Sequence, residues 1–261
     1  MTNNKSRTAI ILCGGRGSRL GAISKKIPKT LVKIQGKEIL WYIIKFLKKN
    51  KFNHFILPLG YKSKMIKNFI YKNNGFDSKI DLVNTGVNTN ISKRIFNVIS
   101  KIKSENILLL NGDTIFNFDI NKIFLQHEKS KLDATFLSVE TTYQFGTVCM
   151  KNNKIVNFKR NIVFDSVNIR SNKKIIAYNY AGIIFIKKKN LIKYKKIFYN
   201  CENFEKDFYP MLIKKYSTNM VKINGFFYSV DNVKDINIAN NKKTVEFKNI
   251  ILVKNKIKKI K

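Results

Sequence analysis

The stretch TAIILCGGRGSRL, residues 8–20, is the part of the sequence from which the fold can be inferred. Its first part, residues 8–13, is an apolar run of the length expected for a buried β-strand. A glycine-rich turn follows over residues 14–17, and glycines let backbone N–H groups approach and surround phosphate oxygens. Arg16 and Arg19 add positive charge to this turn. The stretch therefore predicts a strand that ends in an anion-binding loop.

This glycine-rich turn differs from two common phosphate-binding motifs. It is not a Walker A motif, because no Gly-Lys-Ser/Thr follows it. Gly15, Gly17 and Gly21 give the spacing G-x-G-x-x-x-G, which is one residue longer than the dinucleotide-binding fingerprint. Taken alone, the turn indicates phosphate binding or a simple tight turn.

Predicted strands and helices alternate along the first half of the chain. Apolar spacing predicts helices over residues 37–49, 63–71 and 92–102 and strands over 54–59, 80–83 and 107–110. In the second half, strands are predicted over 134–139, 147–150, 155–158, 182–186 and 220–223, with a helix over 204–215. This order is typical of an α/β protein whose parallel sheet has helices on both faces and binds ligands at the carboxyl ends of its strands.

The composition raises the question of a nucleic-acid partner. The 261 residues include 51 Lys and Arg but 16 Asp and Glu, which gives a formal net charge of +35. Because 44% of the residues are hydrophobic, the chain is not of the disordered class despite this charge. The lysines are spread along the whole chain, often opposite the apolar face of a predicted helix, rather than grouped in one basic patch. We therefore expect no nucleic-acid partner.

Cysteine and histidine usage excludes several kinds of site. The three cysteines lie far apart and form no C-x-x-C pair, so neither a disulfide framework nor a zinc site is supported. With only His54 and His127, a His-based triad or a multi-histidine metal site is also not supported. No apolar run approaches the roughly 20 residues of a membrane helix, and residues 1–7 lack the apolar segment of a signal peptide. We expect a cytoplasmic protein with no membrane contact.

Two short segments beyond the turn carry a family resemblance. The loop GGRGSRL at residues 14–20 is followed by PKT at 28–30 and by GKE at 36–38. Together these segments resemble the N-terminal signature of the sugar-1-phosphate nucleotidyltransferase family, in which a GGxGTRL loop precedes Pro-Lys-Pro and Gly-Lys-Pro. Here serine replaces the threonine of the loop, and Thr30 and Glu38 replace the two prolines.

The resemblance extends over about residues 8–240 and implies a fold. That fold is a Rossmann-like, mostly parallel sheet flanked by helices, of the nucleotide-diphospho-sugar transferase type, with a strand-rich second half. We expect a single domain of this kind over residues 1–245 and a basic tail over residues 246–261, where lysines are frequent.

The resemblance also implies which residues bind the nucleoside triphosphate. Arg19 would bind the outer phosphates, which leave as pyrophosphate, and Lys29 would neutralise charge on the reacting phosphoryl group. A segment that matches T-G-x-x-T-x-x-x-x-R resembles the base-recognition segment of glucose-1-phosphate cytidylyltransferases and favours CTP. The nucleotide-binding residues would be Leu12, Gly14, Gly15, Gly17, Ser18, Thr85, Gly86, Arg94 and Gly112.

Two aspartates are the candidate metal ligands. Asp113 follows a predicted buried strand and a glycine, where a carboxylate in a basic site suits Mg²⁺. In the family a second aspartate follows an aromatic strand of the form G-x-[FW]-x-D, and Asp231 matches it best. We expect Asp119 and Asp235 to cap helices rather than to bind metal.

The acceptor site resembles a different branch of the family. The segments at residues 143–148 and 205–210 are similar to those of heptose-1-phosphate guanylyltransferases, which favours GTP. The family's Phe-x-Glu-Lys-Pro motif is replaced by FKRNI at residues 158–162, so the usual glutamate is missing. The residues implied for the acceptor are Gly146, Lys159, Tyr180, Gly182 and Glu205.

These features predict a Mg²⁺-dependent enzyme that transfers a nucleotide from an NTP, CTP or GTP, to a sugar 1-phosphate and releases pyrophosphate. We expect its product to serve surface polysaccharide synthesis, and assembly into a homo-oligomer is left open. Three alternatives remain: a cytidylyltransferase acting on a non-sugar phosphate monoester such as phosphocholine, a catalytically inactive relative that binds or regulates, and a nucleic-acid-binding protein.

Overall fold

The structure is a computed structural model that describes residues 6–143, 146–160, 162–164, 166–169 and 175–241. The predicted basic tail, residues 246–261, lies outside these residues, and the domain boundary at residue 245 stays a prediction.

The described residues form sixteen strands and eight α-helices. The strands are β1 (Thr8–Leu12), β2 (Lys33–Ile34), β3 (Lys37–Glu38), β4 (His54–Leu59), β5 (Lys79–Asn84), β6 (Asn106–Asn111), β7 (Thr114–Phe118), β8 (Ala134–Val139), β9 (Thr141–Tyr143), β10 (Thr147–Lys151), β11 (Lys154–Lys159), β12 (Ile162–Phe164), β13 (Ser166–Ile169), β14 (Ile175–Lys187), β15 (Thr218–Lys222) and β16 (Gly225–Ser229). The helices are α1 (Ala22–Lys26), α2 (Ile39–Lys49), α3 (Ser63–Lys72), α4 (Ile91–Asn97), α5 (Ile120–Ser130), α6 (Lys188–Phe198), α7 (Phe204–Lys215) and α8 (Val233–Asn241).

A mixed, mostly parallel sheet organises the fold. Seven of its eight strands lie in the order β15-β8-β14-β6-β1-β4-β5, and β13 pairs with β14. The strands β6, β1, β4 and β5 are parallel to one another, whereas β14 runs antiparallel between β6 and β8. The predicted α/β class with a mostly parallel sheet is confirmed.

Strand β1 lies in the middle of the sheet, and its side chains are apolar on both faces of the sheet. Ile11 packs into one core cluster with the apolar side of α2, and Ile10 packs into a second cluster that contains Ile95 of α4 and Phe208 of α7. A strand buried on both faces has a continuous apolar sequence, which the run at residues 8–13 shows. The two faces of the sheet therefore carry separate cores, and the polar loop after β1 lies at the carboxyl end of a central strand.

A second, smaller pairing decides where the site forms. Strand β16 pairs antiparallel with β7, with Ser229 opposite Thr114. The backbone N–H of Val230 donates to the carbonyl of Asp113 at 3.0 Å just beyond this pairing. The C-terminal part of the chain is thereby fixed next to the carboxyl end of β6.

Local details differ from the sequence expectations at several helices. The helix predicted over residues 92–102 is α4 followed by a 3₁₀ turn at Ile99–Lys101, because apolar spacing alone does not distinguish the two. Asp119 caps α5 as predicted, since its carboxylate accepts the N–H of Lys122 at 2.9 Å. Among the described residues, no helix has both the length and the apolar character needed to cross a bilayer.

Helix α5 holds His127 as a neutral core residue. The side chain is 2% exposed, stacks on Phe185 with ring centroids 5.7 Å apart, and shares a 2.8 Å hydrogen bond between Nδ1 and Oγ1 of Thr135. Burial, together with Lys187, lowers the pKa of His127 from 6.5 to about 4, although Asp133 acts in the opposite direction. His127 thus stabilises the fold in its uncharged form.

We predict that acid destabilises the protein partly through His127. Between pH 6.5 and 4 the unfolded state binds a proton that the native imidazole resists, so the free energy of unfolding falls as the pH is lowered through this window. His127→Gln removes this proton uptake, and its loss of stability from pH 7 to pH 4.5 should be smaller than that of the wild type by on the order of 1–3 kcal/mol.

Urea unfolding at both pH values measures this difference. Gln126→Ala, an uncharged change at an exposed neighbouring position of α5, serves as the control and should keep the wild-type pH dependence. Equal pH dependence in His127→Gln and the wild type would contradict the prediction.

Candidate active site

A cleft of about 590 Å³ opens at the carboxyl ends of β1 and β6. The loop after β1, the segment before α4, the turn after β6 and Asp231, two residues after β16, each contribute to its wall. The lining residues are Leu12, Cys13, Gly14, Gly15, Arg16, Gly17, Ser18, Arg19, Lys29, Thr30, Val87, Asn88, Thr89, Asn90, Ile91, Arg94, Asn111, Gly112, Asp113 and Asp231. The cleft thus brings together residues that are far apart in the sequence.

The glycine-rich turn, residues 14–17, forms one side of the cleft. Gly17 adopts a left-handed backbone (φ 63°, ψ 36°) immediately before the 3₁₀ turn Ser18–Leu20, a conformation that favours glycine. A Cβ on Gly17 would also lie 3.0 Å from Cβ of Lys29, so the turn and Lys29 pack closely. The side chain of Arg19 is 78% exposed and reaches over the cleft.

Lys29 lies between the two predicted metal-binding aspartates. Its Nζ donates to Oδ2 of Asp113 at 2.7 Å and to Oδ1 of Asp231 at 3.3 Å. Pro28 precedes it in an extended conformation and Lys29 begins a 3₁₀ turn, which directs its side chain into the cleft. The Lys29 side chain is only 15% exposed, so this cation is held where solvent screens it weakly.

Asp231 is held by several hydrogen bonds from its own segment. The hydroxyl of Ser229 donates to its Oδ2 at 3.0 Å, and its backbone N–H donates to Oδ2 of Asp235 at 2.7 Å. Asp235 also exchanges hydrogen bonds with Asn232, at 2.9 Å and 3.1 Å, in the pattern of a capping box at the start of α8. Asp235 was expected to be the cap itself; instead it is the partner of the cap residue Asn232.

The charges of the cleft keep Asp231 ionised. Partial burial by itself would raise the pKa of Asp231, but the ammonium of Lys29 and the hydroxyl of Ser229 outweigh it. Arg19, whose Nη1 lies 3.4 Å from Oδ1 of Asp231, acts in the same direction, and the pKa stays below its ordinary value. Burial next to Asp113 raises the pKa of the Cys13 thiol, so Cys13 stays protonated and is not a nucleophile.

The donor set of the cleft fits a magnesium ion. Asp113 and Asp231 present carboxylate oxygens around the same ammonium group, and Mg²⁺ in phosphate-transfer sites uses one or two carboxylates together with substrate phosphates. Within the described residues no cluster of three or more His, Cys, Asp or Glu side chains occurs. The cleft therefore matches a site that a phosphate ligand completes.

The segment before α4 forms the opposite wall. Asn90 caps α4 by accepting the N–H of Lys93 at 2.9 Å, and Asn88 accepts a 3.0 Å hydrogen bond from Arg16 across the cleft. Arg94 lines the cleft, but the residue is only 4% exposed and its guanidinium donates to protein acceptors, including Oγ1 of Thr85. Thr85 and Gly86, also predicted to bind nucleotide, accept hydrogen bonds from Arg94 but do not line the cleft.

A smaller pocket adjoins the cleft and gathers three of the five predicted acceptor residues. Tyr180, Gly182 and Glu205 line this pocket together with Tyr209, and Leu12 and Asn111 border both the pocket and the cleft. The hydroxyls of Tyr180 and Tyr209 lie 3.1 Å apart. Burial raises the pKa of the Glu205 carboxyl. Burial also raises the pKa of Tyr209 and, together with the neighbouring Tyr209, that of Tyr180, so both tyrosines remain neutral hydrogen-bonding groups.

The other two predicted acceptor residues lie elsewhere. Gly146 precedes β10, and Lys159 ends β11 opposite Thr147 in a two-stranded hairpin whose β11 residues are exposed. Neither residue lines the cleft or the smaller pocket. Residues 144, 145 and 161, which belong to the segments compared above, lie outside the described residues.

Sequence reasoning missed several residues of the site. Asn111 ends β6 just before the Gly-Asp pair, and its position at a strand end was a signal that could have identified it. Asn88 lies within the base segment but matches no position of its pattern. Tyr209 is contributed by α7, and its proximity to Tyr180 depends on tertiary packing that no local pattern contains.

Comparison with known sequences identifies relatives of this chain. Residues 8–159, more than half of the chain, match the nucleotidyl transferase family. A probable glucose-1-phosphate cytidylyltransferase of Bacillus subtilis is 32% identical over 179 residues, which are 61% of this chain and 70% of that protein. A D-glycero-alpha-D-manno-heptose 1-phosphate guanylyltransferase of Aneurinibacillus thermoaerophilus is 32% identical over 156 residues, 58% of this chain and 66% of that protein.

Solved structures share the fold at low sequence identity. A putative glucose-1-phosphate thymidylyltransferase from Bacillus anthracis, in complex with a sucrose, superposes with a TM-score of 0.68 at 18% identity, over 90% of this chain and 94% of that one. HddC from Yersinia pseudotuberculosis, complexed with GMP-PN, gives 0.62 at 21% identity, over 90% and 98%. These likenesses confirm the predicted nucleotide-diphospho-sugar transferase fold. The family match and the two relatives show that the chain belongs to the nucleotidyl transferase family, among the sugar-1-phosphate nucleotidyltransferases.

Proposed function

We propose that this chain transfers a nucleoside monophosphate from an NTP to a sugar 1-phosphate and forms an NDP-sugar and pyrophosphate. The observation that carries the proposal is the placement of Lys29 between Asp113 and Asp231, opposite a glycine-rich loop at the carboxyl ends of the central strands. Such an arrangement offers both cations for a triphosphate and carboxylates for a divalent metal.

In the proposed reaction an oxygen of the acceptor phosphate attacks the α-phosphorus of the NTP. The new P–O bond forms as the bond to the bridging oxygen breaks, and the β- and γ-phosphates leave as pyrophosphate. The acceptor oxygen is already ionised, so no protein base is required. This agrees with Cys13, which stays protonated, and with His127, which lies in the core away from the cleft.

The cations of the cleft have distinct tasks in this proposal. Lys29 lies deep in the cleft and would stabilise the negative charge that develops around the α-phosphorus. Arg19 is exposed at the entrance and would bind the outer phosphates, while backbone N–H groups of residues 14–18 would surround them. Binding by fixed groups also orients the two phosphates for in-line attack.

Asp113 and Asp231 are the residues that would hold Mg²⁺. When bound, Mg²⁺ would offset the repulsion between the two anionic substrates and polarise the phosphate that is attacked. The lowered pKa of Asp231 supports this role, because a carboxylate must be ionised to bind the metal.

Two observations bear on the substrates. The relatives named above are a probable cytidylyltransferase and a guanylyltransferase, so CTP and GTP are the nucleotides that we propose. The pocket lined by Tyr180, Gly182 and Glu205 has room for only about 10 Å³, so a polar acceptor such as a sugar would lie in the adjoining cleft and contact the pocket's hydroxyl and carboxylate groups from there. We propose that the NDP-sugar serves surface polysaccharide synthesis.

We predict that Asp113→Asn lowers kcat by roughly 100-fold or more, because the change removes a charged ligand at the reacting phosphates. Pyrophosphate release with a sugar 1-phosphate and Mg²⁺ measures the effect, and thermal unfolding verifies that the variant is folded.

Asp119→Asn is the matched control for this experiment. Asp119 caps α5, and asparagine is an equally good cap residue, so activity and melting temperature should be unchanged. Full activity in Asp113→Asn would exclude the proposed role of this carboxylate.

We further predict a preference for CTP or GTP over UTP, dTTP and ATP. The measurement is pyrophosphate release with each nucleotide, tested against glucose 1-phosphate, a heptose 1-phosphate and phosphocholine, with Asp113→Asn as the background control. Turnover with phosphocholine alone would contradict the sugar acceptor and support the non-sugar acceptor that the missing Glu-Lys-Pro motif suggests. Pyrophosphate release with none of the pairs would refute the proposed function.

A further inference from the structure

The guanidinium of Arg94 is a buried cation with no carboxylate partner in the described part of the chain. Its side chain is 4% exposed, and none of the ion pairs of the described residues includes it. Burial lowers its pKa, which reflects the cost of holding a charge away from water. Such a cost is tolerated where several hydrogen bonds compensate for the lost hydration.

Those hydrogen bonds connect Arg94 to the loop that is expected to contact the base. We define the base loop as residues 84–90. Nη1 donates to Oγ1 of Thr85 at 2.7 Å and to the carbonyl of Gly86 at 2.9 Å, and Nη2 donates to the carbonyl of Val87 at 3.2 Å. Nη1 also lies 3.3 Å from the carbonyl of Leu59, at the end of the neighbouring strand. One side chain thus fixes three consecutive residues of the base loop.

Two glycines leave room for this guanidinium. A Cβ on Gly14 would collide with Nη1 of Arg94, and a Cβ on Gly60 would collide with the same atom and with the carbonyls of Gly14 and Gly86. The backbone N–H of Tyr61 donates to the carbonyl of Gly14 at 3.1 Å. The phosphate loop, the turn after β4 and the base loop therefore meet at Arg94.

Helix α4, which carries Arg94, is itself anchored. Asn90 caps the helix and donates from Nδ2 to the carbonyl of Cys201 at 3.0 Å, and Ser92 contacts the sulfur of the same cysteine at 2.8 Å. Cys201 lies shortly before α7, which contributes Glu205 to the smaller pocket. Helix α4, and with it the backbone of Arg94, is therefore fixed relative to both the cleft and the smaller pocket.

We propose that Arg94 is a positioning residue for base recognition, which holds the base loop in the shape that reads the nucleobase, and is not a ligand of the phosphates. The proposal deepens the proposed function and rests on it. The N–H donors of Arg94 are directed to protein acceptors, and its planar guanidinium matches the arrangement of these acceptors in a way that the single ammonium of lysine does not.

Arg94→Lys tests this role because it keeps the charge but loses the fork of donors. Two lost hydrogen bonds correspond to an increase in KM of roughly 10- to 100-fold for the preferred NTP. We expect this rise together with a loss of the preference among nucleotides, whereas inhibition by inorganic tripolyphosphate, which has no base, should stay within about twofold of the wild type. Lys101→Ala, at an exposed position in the 3₁₀ turn after α4, is the control and should retain wild-type kinetics.

Thr85→Val is an independent variant that keeps the proposal testable if Arg94→Lys does not fold. It removes the hydroxyl that accepts from Nη1 of Arg94 at 2.7 Å and adds no atom near the phosphate loop, and we expect the same selective loss of base discrimination with tripolyphosphate inhibition retained. Weakened tripolyphosphate inhibition in parallel with KM would identify Arg94 as a phosphate ligand and overturn the proposal, as would unchanged nucleotide preference in a folded variant. Wild-type protein that neither binds nor turns over any NTP would instead refute the proposed function, and the inference with it.

Discussion

The ammonium of Lys29 contacts Asp113 and Asp231, which approach it from segments 84 and 202 residues away. Without a cation between them, two carboxylates in a partly buried cleft would repel each other. The pairing of β7 with β16 brings the aspartates together, and the ammonium of Lys29 offsets their repulsion and helps to lower the pKa of Asp231. In the proposed reaction the same ammonium would also face a phosphate, so an entering nucleotide would compete with the carboxylates for it.

The sequence predicted the strands and helices that have a strong local pattern. The bounds of β4, β8 and α7 are correct because each is a continuous or periodic apolar segment with clear ends. The pairing of β7 with β16 joins residues about a hundred positions apart and has no local signal, so only the family resemblance indicated that Asp113 and Asp231 belong together.

Arg94 illustrates the opposite limit of sequence reasoning. Its spacing from Thr85 and Gly86 assigned the three residues to one segment, and the structure brings them into contact, but a pattern of residue types does not tell whether a side chain faces a ligand or the protein backbone. Here the guanidinium of Arg94 occupies the space that a side chain at Gly14 or Gly60 would fill. Spacing therefore located the residue, and packing determines what it contacts.

The net charge of +35 acts on the whole reaction rather than on one contact. A strongly positive surface raises the local concentration of anions, and in the proposed reaction both substrates and the pyrophosphate product are anions. A cleft of cations alone would bind all three tightly, and uniform tight binding does not accelerate the chemical step. In the proposed reaction Asp113 and Asp231 would instead hold Mg²⁺ where the two phosphates meet, so that positive charge acts on the reacting groups rather than on every anion equally. In a chain with only 16 acidic residues, two carboxylates in one cleft therefore distinguish this site from the general positive surface.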